Sequence, residues 1–167
     1  AQGFVPISYE ALEDEVNIAS TVATLLSEGR DILEAAAFVT GTGSGQPKGI
    51  VTALVAAGGS IIVNSAGSEV LAVGDLYALQ GALPARFRAN ASWLANNLFY
   101  NRARQFDTAG GSALWAQLGQ DRPAVMLGRE IMEAEDMDGT ITGAAENYMA
   151  VFGDFSNFVI ADRIGMT

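Results

Sequence analysis

From residue 17 to residue 38, apolar side chains return every three or four positions, and no proline breaks the run. Ile18, Val22, Leu25, Ile32 or Leu33, and Ala36 share one stripe, while Ser20, Thr24, Ser27, Asp31 and Glu34 line the opposite face. This period predicts an amphipathic helix. At about 1.5 Å per residue it would be roughly 33 Å long, nearly the width of a compact domain. Such a helix is a spine. Its apolar side, with Val22, Leu25 and Leu33, is expected to face the protein, and Ser20, Thr24 and Asp31 to face water or a neighbour. Gly29 lies within the stripe, where it reads as a notch admitting another backbone.

A Gly/Pro-rich segment over 41–49 stops the helix. Residues 50–57 are apolar, 60–64 alternate as a short strand would, and a sheet is expected to begin there. Asp75 is placed to cap a helix carrying Leu76, Leu79 and Leu83 and ended by Pro84. Strands are expected over 91–95, 125–127, 131–134 and 148–152, with a helix over 98–106. Residues 157–164 are apolar and β-prone enough for a closing strand. Ser8 would open a short acidic helix over 8–14. Helices and strands interleave without a regular βαβ period, so the fold class is α+β, a mixed sheet flanked by helices.

Composition removes several kinds of chemistry. The 167 residues include neither Cys nor His. Disulfides, cysteine-based metal sites, and Ser-His-Asp or Cys-His catalysis are therefore closed to it. Asp and Glu number 19 against 9 Lys and Arg, a formal charge of −10. That balance disfavours sequence-specific nucleic-acid binding but suits the wall of a container. Half the residues are apolar, enough for a hydrophobic core. The longest apolar run, near 50–63, is interrupted by Thr52, two glycines and Ser60, and is too short for a membrane span.

Three motifs suggest ligands and fail on order or spacing. The 41–49 segment is rich in glycine, but a phosphate loop follows a strand and ends in Gly-Lys-Ser/Thr, whereas this one follows a helix and gives Lys48-Gly49. Asp136-x-Asp138-Gly139 matches the middle of a calcium loop, yet Ala134 and Ala145 would occupy its first and last ligand positions. Asn90-Ala91-Ser92 is a glycosylation sequon inside an expected strand. Catalytic, cofactor and metal residues are accordingly expected to be none. Arg86, Arg88, Arg102 and Arg104 form the one basic concentration and read as an ion-pairing surface for an acidic neighbour.

The ordered segments resemble the tailed-phage major capsid proteins, whose fold is known from the Hong Kong lambdoid phage. Pro6-Ile7-Ser8-Tyr9-Glu10-Ala11-Leu12-Glu13-Asp14 resembles the family's short helix before its spine. The spine's end, from Ala37-Phe38-Val39-Thr40-Gly41 through Gln46-Pro47-Lys48-Gly49-Ile50, is the most specific match. Ala89-Asn90-Ala91-Ser92-Trp93-Leu94-Ala95-Asn96 is similar to a family strand leading into a helix. Met126-Leu127-Gly128-Arg129-Glu130 and Phe152-Gly153-Asp154-Phe155 through Ile160-Ala161-Asp162-Arg163 resemble the closing strands, Gly153 being expected at positive φ and Asp154 as a turn cap.

The resemblance implies a peripheral domain over 1–40 with the spine helix, an axial domain over 41–155, and a strand over 156–167 returning towards the peripheral domain. It implies a structural subunit that joins copies of itself in pentamers and hexamers of an icosahedral shell. That shell would enclose phage or prophage DNA without sequence-specific binding or a membrane, and be assembled in the bacterial host cytoplasm. Interface residues are expected among Ser20, Thr24, Asp31, Arg86, Arg88, Arg102 and Arg104. The family's N-terminal arm, hairpin loop and last strands have no counterpart here, so the chain reads as a piece of a longer protein. The alternatives are an encapsulin-type compartment shell and, more remotely, a small nucleotide-binding enzyme.

Overall fold

The computed structural model describes residues 5–8, 17–106, 125–143 and 145–161. The chain divides into two compact units, Ala1–Ala53 and Leu54–Thr167. The short helix expected over 8–14 falls almost wholly outside the described residues.

In the first unit the spine is a 23-residue helix, α1 (Ile18–Thr40), about 35 Å long. Its apolar stripe forms as the period requires, but it is not covered. No residue of α1 is buried, and Leu25, Ile32 and Leu33 are 60%, 68% and 62% exposed. The expectation that Val22, Leu25 and Leu33 face the protein is therefore corrected: Val22 is half-buried and the two leucines are bare. Gly29 is no notch within this chain either, because a Cβ there would meet nothing within 4 Å.

The turn after α1 closes on itself. The amide of Gly49 donates to Gly41 O (2.8 Å), that of Gly43 to Pro47 O (3.2 Å), and Thr42 bridges Lys48. Gly41 and Gly49 are required by this close approach. A Cβ at Gly41 would come within 2.3 Å of the Ala37 and Pro47 carbonyl oxygens, and one at Gly49 within 2.5 Å of Gly41 N and Val39 O. The Thr52 hydroxyl donates to Thr40 O (3.1 Å), satisfying one of the carbonyls left open at the end of α1.

Thr52 belongs to α2 (Ile50–Ala57), a helix where a sheet was expected to begin. The expected strand over 60–64 is a 3-10 turn, Gly59–Ile61, followed by unpaired chain. Short apolar runs do not distinguish strand from helix by period, and Gly58, at φ +60, ends α2 with its amide on Leu54 O and Val55 O.

In the second unit, α3 (Val73–Ala82) starts two residues before Asp75. Asp75 is thus not the N-cap; it lies in the first turn and reaches back. Its carboxylate accepts from Ala72 N (2.8 Å), Ser65 Oγ (2.7 Å) and Ala66 N (3.0 Å), fastening the preceding loop to the helix. Pro84 ends this helix region, and the single turn α4 (Ala85–Arg88) leads into the sheet.

Strands β1 (Ser92–Ala95), β2 (Val125–Met126), β3 (Arg129–Glu133) and β4 (Ala150–Gly153) form one mixed sheet in the order β2-β3-β1-β4. β1 is parallel to β3, Leu94 opposite Met132, and antiparallel to β4, Trp93 opposite Phe152. β2 and β3 form a hairpin through Leu127 and Gly128, both at positive φ as a type I′ turn demands.

Helix α5 (Asn97–Arg104) follows β1 directly and buries Phe99, Tyr100 and Ala103 against the sheet. These join Leu76, Trp93, Ala95, Met126 and Phe152 in the core. The Tyr100 hydroxyl donates to Met132 O (2.7 Å), and burial pushes its ionisation well above the usual tyrosine range.

Gly153 stays in β4 opposite Ser92 and does not take positive φ, whereas Asp154 caps the next turn by accepting from Ser156 N (3.0 Å). That turn is a 3-10 helix, Phe155–Asn157, and residues 158–161 are unpaired among the described residues. The expected closing strand over 157–164 is therefore not formed in its described part. Asp154 draws the chain into a turn at its start, and residues 162–164 lie outside the description.

Three substitutions test these stability arguments. Gly49→Ala should lower the unfolding free energy by an overpacking cost of about 1 to 3 kcal/mol, read as a lower urea midpoint. Gly29→Ala should instead gain up to about 1 kcal/mol of helix propensity. For Asp75, burial raises the carboxyl pKa, but the bonds from Ala66, Ala72 and Ser65 outweigh it and the net value lies below the ordinary one. A depressed carboxyl contributes stability that is complete above its unfolded pKa, about 3.9, and lost as pH falls through the folded value. Acid titration of thermal melts should therefore show wild type losing stability below about pH 4 more steeply than Asp75→Asn.

Candidate subunit interface

Side chains expected at an interface divide into those free to reach a neighbour and those already committed within the chain. On α1, the Ser20 hydroxyl donates to Asn17 O (2.8 Å) and that of Thr24 to Ser20 O (3.0 Å). Both remain exposed, but neither presents an unsatisfied donor. Asp31 is exposed beside the Arg30–Glu34 ion pair of the same helix, and that arginine's hydrogen bond holds the Glu34 carboxyl below its ordinary pKa. The more conspicuous feature of α1 is the bare stripe of Leu25, Leu26, Ile32 and Leu33, of which Leu25 and Leu33 are expected from the sequence to face the protein.

The four arginines also divide. Arg88 donates from Nε to Leu83 O (2.6 Å) and from Nη2 to Gly81 O (2.8 Å), capping the C-terminal carbonyls of α3. Arg104 donates to Asn101 Oδ1 (3.0 Å). Arg86 lies over the Phe87 ring at 4.6 Å, and Arg102 is exposed on the outer side of α5. Arg129, which the sequence reading did not single out, donates to Ala89 O (2.6 Å) and so comes beside the segment carrying Arg86 and Arg88. No spacing rule signals this, because the proximity arises from strand order.

The acidic residues after β3 are organised by backbone bonds. Asn96 caps α5 by accepting from Leu98 N (2.9 Å), and its amide donates to Glu135 O (2.8 Å) and Met137 O (3.2 Å). Asp138 accepts from Tyr148 N (2.7 Å). Gly139 passes so close that a Cβ would sit 2.8 Å from Asn96 Oδ1. Among the described residues no group of three or more acidic side chains converges as a metal site. The amides of Gly41, Gly43 and Gly49 in the glycine-rich turn are bonded to carbonyls within or beside it, so they do not form an open anion cradle. No described helix is long and apolar enough to cross a membrane.

A long spine helix without a buried residue, joined in sequence to an α+β unit with a four-stranded mixed sheet, places the chain among proteins of capsid fold. The "capsid of native GTA particle computed with C5 symmetry" superposes with a TM-score of 0.70 at 31% identity, covering 90% of this chain and 54% of that one. The "capsid of empty GTA particle computed with C5 symmetry" gives 0.69 at 29% identity, again 90% and 54%. The chain thus spans about half the length of these relatives. A model of the phage capsid family matches residues 1–167, and the chain belongs to that family. No significant match was found among curated proteins.

The two kinds of arginine should separate in stability measurements. Arg88→Ala removes two charge-assisted bonds to helix-end carbonyls and should cost about 1.5 to 3 kcal/mol in urea unfolding. Arg102→Ala should remain within about 0.5 kcal/mol of wild type. Equal losses at the two positions would contradict this division.

Proposed function

We propose that this chain forms part of a structural capsid subunit that assembles in many copies, as pentamers and hexamers, into a closed shell around DNA. The observation that carries this reading is the family match over residues 1–167, together with the likeness to two particle capsids. The same matches favour the phage-type shell over the encapsulin alternative. The role is structural, and a Ser-His or Cys-His pair has no residues to form it in a sequence without His or Cys.

On this reading the spine helix belongs to a peripheral domain over 1–40, residues 41–155 make an axial domain, and 156–167 return towards the periphery. Ser20, Thr24, Asp31, Arg86, Arg88, Arg102 and Arg104 lie at or near contacts with neighbouring subunits, Arg88 chiefly by holding the end of α3 in place. The net charge of −10 suits an inner wall that encloses DNA without gripping it. The particle is the site of residence, assembled in the host cytoplasm.

Expression of the polypeptide that carries this chain, followed by negative-stain electron microscopy, should show closed shells of uniform diameter. Dispersed monomers at every concentration would overturn the reading.

A further inference from the structure

Among the described residues, the unit Leu54–Thr167 carries two concentrations of charge at opposite ends of its sheet. β1 and β3 run parallel, so both start at one end and finish at the other. At the finishing end lie Glu133, which closes β3, and Glu135, Asp136 and Asp138 in the loop beyond, held to the end of β1 by the Asn96 amide. Glu146 joins them. The Tyr148 hydroxyl donates to its carboxylate (2.8 Å), while the Tyr148 amide is bonded to Asp138.

At the starting end lie Arg86 and Arg88, ahead of β1, and Arg129, which opens β3 and bonds to Ala89. α5 starts at the finishing end and packs Phe99, Tyr100 and Ala103 over the sheet, so it runs back from that end. Its last turn carries Arg102 and Arg104 on either side of buried Ala103, which shares the core cluster with Met126 of the β2–β3 hairpin. Two carboxylates, Glu130 and Asp154, also lie at this end, along an open groove lined by Asn90, Ser92 and Arg129. They are outnumbered by the arginines. No ion pair joins Arg86, Arg88, Arg102 or Arg129 to an acidic side chain among the described residues.

We propose that the acidic end of one copy docks on the arginine end of the next. This rests on the assembly reading above and names the contact it uses. A folded unit that holds both signs of charge and leaves Arg86, Arg88, Arg102 and Arg129 without an acidic partner among the described residues is matched at both ends by a second copy of itself. Such head-to-tail contact is heterologous and closes into a ring when its rotation divides the circle. A phosphate backbone is the poorer occupant of the arginine end, where Glu130 and Asp154 would repel it.

The test uses two reversed variants of the chain, Arg86→Glu with Arg102→Glu, and Glu133→Arg with Glu135→Arg and Asp136→Arg, in sedimentation velocity at about 50 mM salt, where screening is weak. Wild type should self-associate, and each variant alone should do so at least about tenfold more weakly, because like charges then face each other. An equimolar mixture should recover association, since one variant is negative at both ends and the other positive at both. A misfolded variant could not produce that recovery. About 500 mM salt should weaken both wild type and the mixture.

The proposal is overturned by a wild type that does not associate, by variants that associate as well as wild type, by a mixture that does not recover, or by arginine reversal that abolishes only DNA binding. Closed shells from the carrying polypeptide, with association indifferent to these reversals, would sink this contact and leave the capsid reading standing. Recovery in the mixture without shells would do the opposite.

Discussion

Trp93 ties the sheet together. It is fully buried in β1, its indole N–H donates to Met126 O (3.1 Å) in β2, and its ring lies 4.4 Å from that of Phe152 in β4. A buried indole N–H without an acceptor would cost about 1 to 3 kcal/mol, so Trp93 reaches its buried position with its polar group satisfied only when the β2–β3 hairpin is in place. The hairpin in turn depends on a two-residue turn with Leu127 at φ +51, a conformation an L side chain adopts at a cost. Packing on Trp93 and pairing of β3 with β1 hold that turn in place. Core and strand order are thus one requirement seen from two sides.

Asn96 extends the same logic to the charged loops. One side chain accepts from the first turn of α5 and donates to two carbonyls of the loop after β3. The residue that starts the helix therefore also fixes where the acidic loop lies. Gly139 completes the arrangement by having no Cβ to keep Asn96 away. The position of the negative charges is set by neutral groups, and the carboxylates of Glu135 and Asp136 remain exposed.

The elements that were legible in sequence are those whose signal is local and redundant. Pro84 after an apolar helix and the β-prone run over 91–95 leading into a helix over 98–106 are such signals, and the corresponding helices and strand form. Residues 50–57 failed because an apolar run of that length has no period that separates strand from helix. Asp75 was recognised as a helix-start residue but placed at the wrong position, since carboxylates cap both from the N-cap and from within the first turn. The exposure of Leu25 and Leu33 was illegible for a different reason. Periodicity identifies an apolar face but not whether the surface that covers it belongs to the same chain. Arg129 was missed because its place beside Ala89 comes from strand order and not from spacing.

The bare stripe on α1 and the charged ends of the second unit have different physical consequences for assembly. Contact through Leu25, Leu26, Ile32 and Leu33 would be non-directional, gaining roughly in proportion to the apolar area removed from water. Charge complementarity contributes less to affinity and more to selecting the partner and its orientation, because a wrong register brings like charges together. A subunit that must close rings of fixed rotation needs the second property as much as the first. An apolar face alone would tolerate many relative rotations, and contacts whose rotation does not close lead to open filaments. In the inferred arrangement the arginine and acidic ends restrict which rotation is allowed. The chain's net charge of −10 works against both kinds of contact at long range, so association is kept weak until the complementary ends are close enough for their local attraction to exceed the overall repulsion.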